Sequence, residues 1–239
     1  MAIRMRDVEY SHGDQVFEAR MFWDDARGAT AAPTVAVAHA WSGRAEHECE
    51  AAEKLAGEGY VGFALDVYGK GVRGRSAEEN IGLMQPLMED RALLQARLNA
   101  GLASAAAQPE VDGDNMAAIG YCFGGLCVLD MARVGSPVKG VASLHGVFNT
   151  PGNTHGNKIS AKVLVLHGWA DPMVPPDTVI DLATEMTEAG ADWQIHAYGH
   201  ALHGFTHDAP ALADGIGYSE SADRRSWQSV LNFMAELFG

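Results

Sequence analysis

Short apolar runs at 34–38, 60–65, 116–119, 138–144 and 162–167 constrain the fold of this chain more than any other feature of its sequence. They are predominantly apolar rather than alternating, as strands covered on both faces are. Helical patterns lie between them. One runs over 46–58 and stops at Gly59. Another, opened by the capping box Ser76-Ala77-Glu78-Glu79, continues to about Ala107 with a break expected near Pro86. Further helices are predicted after Gly120, over 176–190 and over 222–238, and residues 192–198 alternate like a last strand. Strand–helix alternation of this kind predicts an α/β fold, a mostly parallel sheet with helices on both faces and ligands at the strands' carboxyl ends. Residues 7–23 precede it as an antiparallel hairpin turning at Ser11-His12-Gly13-Asp14.

The 239 residues show no linker or composition break, so residues 1–239 are expected to form one domain. With 17 Lys+Arg against 31 Asp+Glu, the net charge is −14, which disfavours nucleic acid and anionic membranes as partners. Cys49, Cys122 and Cys127 form no CxxC pair and leave an odd thiol under any pairing. A reducing, cytoplasmic location is expected for such cysteine usage. The first residues lack the apolar core of a signal peptide, and no later run approaches a membrane span.

One strand and its helix meet at Gly120-Tyr121-Cys122-Phe123-Gly124-Gly125. G-x-C-x-G in this setting is the nucleophile elbow of the α/β-hydrolase fold, with cysteine in the serine position. The simpler reading is a glycine turn with a buried thiol, and the loops after Cys122 decide between them. A thiol nucleophile needs a base, and the base needs an orienting acid, in the order nucleophile, acid, histidine. Asp171 follows the strand 162–167, in a turn set by Gly168 and Pro172. His203, beside Gly204, follows the last strand, with His200 as competitor. His200, His203 and His207 have metal-ligand spacings, but Gly199 and Gly204 interrupt the helix that would align them, so no metal is expected.

These segments, with Trp41-Ser42-Gly43, Ala64-Leu65-Asp66-Val67-Tyr68-Gly69, Gly168-Trp169-Ala170-Asp171 and His203-Gly204-Phe205, resemble the dienelactone hydrolase family of cysteine hydrolases. The resemblance implies Cys122, Asp171 and His203 as the triad and the backbone N–H groups of Phe123 and Trp41 as the oxyanion hole. Fold logic gives the same pair of donors: the residue after the nucleophile, and one from the loop after an early strand.

Two positions depart from the family. Where it carries a glutamate before the aromatic-glycine element, this chain has Ala40, with His39 beside it. Thiol activation then rests on His203 and the helix N-terminus, or on His39. Where the family has a carboxylate-gripping arginine, this chain has His207. Anion binding by Arg73 or Arg75 is the alternative, in the basic loop Gly69-Lys70-Gly71-Val72-Arg73-Gly74-Arg75. That loop matches G-x-G-x-x-G but does not open a first βαβ unit, so no dinucleotide and no other cofactor is expected. Trp41, Trp169 and Phe205 are expected to wall the pocket, His145 to reach it, and Asp66 to tie down its own loop. The predicted function is hydrolysis of an activated ester or lactone, such as an enol lactone, aryl ester or thioester, through a thioester acyl-enzyme. The rival is a non-catalytic or redox-sensing small-molecule-binding protein of the same fold. The expected partner is a small-molecule ester or lactone, and the expected state a monomer or small homo-oligomer.

Overall fold

The computed structural model describes residues 2–28, 30–210 and 214–239. A single eight-stranded sheet runs in the order β1-β2-β4-β3-β5-β6-β7-β8. β1 (Ile3–His12) and β2 (Gln15–Asp24) form the antiparallel hairpin, and β2 also pairs antiparallel with β4 (Val61–Ala64). β3 (Ala32–Ala38), β5 (Val111–Tyr121), β6 (Gly140–Leu144), β7 (Lys162–Gly168) and β8 (Trp193–Tyr198) complete it, and from β4 onward every neighbouring pair is parallel.

Two apolar layers cover the sheet, and strand alternation sorts residues between them. Val35, Val37, Ala117 and Ile119 face α1 (Glu46–Gly57) and α6 (Glu220–Phe238), meeting Leu55, Val230 and Phe233. Ala36, Ala38, Met116 and Ala118 face α3 (Arg91–Ala106), α4 (Phe123–Val134) and α5 (Pro176–Glu188), meeting Leu94, Leu98 and Leu126. Each fully buried aliphatic side chain contributes roughly 1.5–3 kcal/mol. The runs lack alternation because both faces are covered.

The long helical region is divided, but not at its proline. Pro86 sits inside α2 (Ala77–Glu89), and the break falls at Asp90, whose carboxylate accepts the Leu93 N–H at 2.9 Å and caps α3. Proline forfeits its own N–H bond and crowds the carbonyl one turn back, a cost that α2 carries without ending there, whereas Asp90 offers the next helix a cap. Asp66 ties its loop as expected, accepting the N–H groups of Tyr68 at 2.9 Å and Gly69 at 3.0 Å. Among the described residues no helix is long and apolar enough to cross a membrane.

Candidate active site

The elbow depends on two glycines at backbone contact distance. A Cβ on Gly120 would lie 2.0 Å from the Gly124 carbonyl oxygen, and one on Gly124 would lie 2.1 Å from that of Ala38. α4 therefore approaches β5 and β3 more closely than any side chain permits. Cys122, between β5 and α4, has φ 56° and ψ −113°, a conformation that costs a non-glycine residue about 1–3 kcal/mol. The strain places the half-buried thiol at the start of α4, where the Phe123 N–H has no carbonyl one turn behind it.

Asp171 and His203 come from loops after β7 and β8, and those loops are laced together. The Trp169 N–H donates to Tyr198 O and the Ala170 N–H to Ala201 O, both at 3.0 Å. A Cβ on Gly168 would stand 2.6 Å from Leu202 O, so only glycine allows the approach. His203 Nδ1 lies 2.8 Å from Asp171 Oδ2, while Oδ1 accepts the Met173 N–H at 2.8 Å. Both residues are buried.

Burial alone would favour the neutral imidazole of His203. Contact with Asp171 and with Cys122 outweighs it and pushes the group up to about 10. His203 Nε2 is buried and has no partner in full hydrogen-bonding geometry, although the Cys122 thiol is close enough to act on its titration. Neither His200, exposed in a left-handed conformation with φ 66°, nor His207, exposed at the rim, takes this place.

Cys122 and His203 open onto a cavity of about 370 Å³. Trp41, Phe123, His145 and His207 line it, whereas the other expected wall residues do not. Phe205 is buried in the core, packed edge-on against His145 and Tyr198. Trp169 is exposed outside the cavity lining. Arg73 and Arg75 line a separate surface depression with Glu79.

His39 is occupied on both ring nitrogens. Nδ1 donates to Ala40 O at 2.7 Å, and Nε2 accepts the Val67 N–H at 3.3 Å, so neither ring nitrogen is left for the thiol. His145, with φ 38°, bonds Thr206 Oγ1 through Nε2 at 2.9 Å. Its pKa is driven well below the ordinary histidine value, first by burial and then by His203 and His47.

Sequence reasoning missed two supports. Glu48, buried on α1, lines the cavity and accepts the N–H groups of Ala40 at 3.1 Å and Ala45 at 2.9 Å, bracketing the loop that carries Trp41. Its place three residues after Ala45 is that of a capping-box acid, a signal hidden because Ala45 has no hydroxyl. The second support is a buried ionic network. Asp130 pairs with Arg91 at 2.6 Å, and Arg133 with Glu185 at 2.7 Å. Arg91 and Arg133 also donate to the carbonyls of Asn149 and Phe148 at 3.1 Å each, holding the loop after β6 against the cavity. Among the described residues no group of three or more His, Cys, Asp or Glu is placed to hold a metal.

Residues 18–238 match the dienelactone hydrolase family. A Synechocystis protein provisionally named a carboxymethylenebutenolidase is 28% identical over 219 residues, 86% of this chain and 87% of its own. An uncharacterized Caenorhabditis elegans protein is 36% identical over 152 residues, 61% of this chain and 94% of that one. Among solved structures, a dienelactone hydrolase-like promiscuous phosphotriesterase from metagenomic libraries is 33% identical, with a TM-score of 0.95 and 100% of both chains covered.

Proposed function

The chain belongs to the dienelactone hydrolase family, and from that premise we propose that it hydrolyses activated carboxylic esters or lactones with Cys122 as nucleophile, His203 as acid and base, and Asp171 as the orienting acid. One observation carries the reading: a buried histidine, bonded at 2.8 Å to a buried carboxylate, opens onto the same cavity as a thiol on a strained elbow.

The Cys122 thiolate attacks the acyl carbon, and the oxyanion is met by the N–H groups of Phe123 and Trp41. The His203 imidazolium then gives its proton to the leaving oxygen as the thioester forms. Neutral again, His203 takes a proton from water, which attacks the thioester and releases the acid and the thiolate. Because a thiolate is expelled from a tetrahedral intermediate more readily than an alkoxide, substrates need a good leaving group. Enol lactones, aryl esters and thioesters satisfy this; simple alkyl esters and amides do not.

Hydrolysis of a 4-nitrophenyl ester by the wild type, its loss on iodoacetamide treatment and in Cys122→Ala, and an acyl adduct on Cys122 by mass spectrometry are the expected results. Undiminished activity in Cys122→Ala overturns the proposal.

A further inference from the structure

Resting on that reading, we infer that the site takes a neutral, apolar acyl group and discriminates against one carrying a carboxylate. Beyond the reacting groups the cavity is walled by Trp41, Met84, Met88, Val147, Met173 and Ile216. Unbranched methionines on α2 and on the loop after β7 make an adaptable apolar wall. No lysine or arginine lines the cavity among the described residues, and Glu48 is its one acidic group.

Arg73 and Arg75 line a separate depression with Glu79, and three further cations outside the cavity lining are engaged with other groups. Lys70 pairs with Glu9 and, at 3.2 Å, with Glu18; Arg44 pairs with Glu18 at 3.0 Å. Arg97 donates to Val67 O at 2.8 Å. The neighbouring depression beyond His47 holds Lys54 and Arg224, but Glu46, Glu50, Asp208 and Asp223 share it and leave no net positive field. Within the cavity, burial lowers the pKa values of His47 and His145 and disfavours their cationic forms. His203 is raised, but its proton serves Asp171 and Cys122. A carboxylate on the acyl chain would therefore surrender its hydration without a counter-ion and face Glu48.

The test compares mono(4-nitrophenyl) adipate with 4-nitrophenyl 6-methylheptanoate, its neutral isostere with the same leaving group. The expected kcat/KM ratio favours the neutral ester by about 100-fold or more. Met88→Arg, which places a cation on the wall, should narrow the gap at least about tenfold. A wild-type ratio near one, or a preference for the adipate, overturns the inference. Loss of both turnovers in Cys122→Ala tests the nucleophile separately. If the wild type hydrolyses neither ester, calorimetry on Cys122→Ala with the two matching aryl ketones still decides. Tighter binding of the neutral ketone by at least about tenfold supports the inference, and equal, reversed or undetectable binding overturns it.

Discussion

Asp171 Oδ2 stands 2.8 Å from His203 Nδ1, with both side chains shut off from solvent. The contact fixes which imidazole nitrogen faces Asp171 and turns Nε2 toward the cavity. Asp171→Asn removes the negative charge while keeping the shape. Its kcat for a 4-nitrophenyl ester is expected to fall roughly 10²- to 10⁴-fold with the fold intact by circular dichroism. A loss under about threefold would remove Asp171 from the mechanism.

The same contact makes stability depend on pH in a defined direction. His203 titrates near 6.5 when unfolded and at about 10 in the fold, so the folded state holds an extra proton between those values. Its stabilisation is complete below pH about 6.5, declines as pH rises, and is gone above about 10. Urea unfolding of wild type and His203→Gln should show their difference greatest near pH 6 and shrinking steadily toward pH 10. In a Cys122→Ser background, where the thiol no longer raises His203, the decline should begin at the same pH, end at a lower one and be smaller in total. A difference that grows with pH contradicts the assignment.

The sequence was most legible where backbone geometry admits few residues. Gly120 and Gly124 are fixed by contacts to carbonyl oxygens, and the covered strands by their predominantly apolar, non-alternating character, so the sheet, the elbow and the order of the loops could all be read. What could not be read depends on direction. Phe205 lies two residues from His203, yet its ring points into the core. Arg73 follows a strand end, but its loop is tied down by the Gly74 N–H on Ser42 O at 3.0 Å and lines another depression. Met84 and Met88 reach the cavity only because α2 folds across it, and no spacing in the sequence encodes that. The Arg91–Asp130 and Arg133–Glu185 pairs join residues 39 and 52 positions apart, beyond any local pattern.

Gly124 admits no side chain. The Cβ introduced by Gly124→Ala would meet Ala38 O at 2.1 Å, a backbone atom that cannot rotate away. α4 must then lift from β3 at the point where the Phe123 N–H is aimed. Destabilisation of about 1–3 kcal/mol by urea midpoint is expected, with kcat reduced more than KM is raised. A variant with unchanged stability and activity would mean the helix and strand are less closely packed than their backbones indicate.

Glu48 is expected to act as a positioning residue for the loop carrying Trp41. Its two carboxylate oxygens hold Ala40 N and Ala45 N, and that loop is further fastened by Tyr68 Oη donating to Trp41 O at 2.9 Å. Glu48→Ala leaves two backbone donors without partners beside the proposed oxyanion site. A fall in kcat of roughly 10- to 100-fold with KM changed less than about threefold is the expected signature, because the oxyanion is present only in the transition state. Glu48→Gln keeps one acceptor oxygen and should recover part of the loss. Equal effects of Ala and Gln on kcat, with normal stability in both, would instead make the negative charge of Glu48 the property that matters. Equal losses of kcat and stability would leave it a purely structural cap of α1.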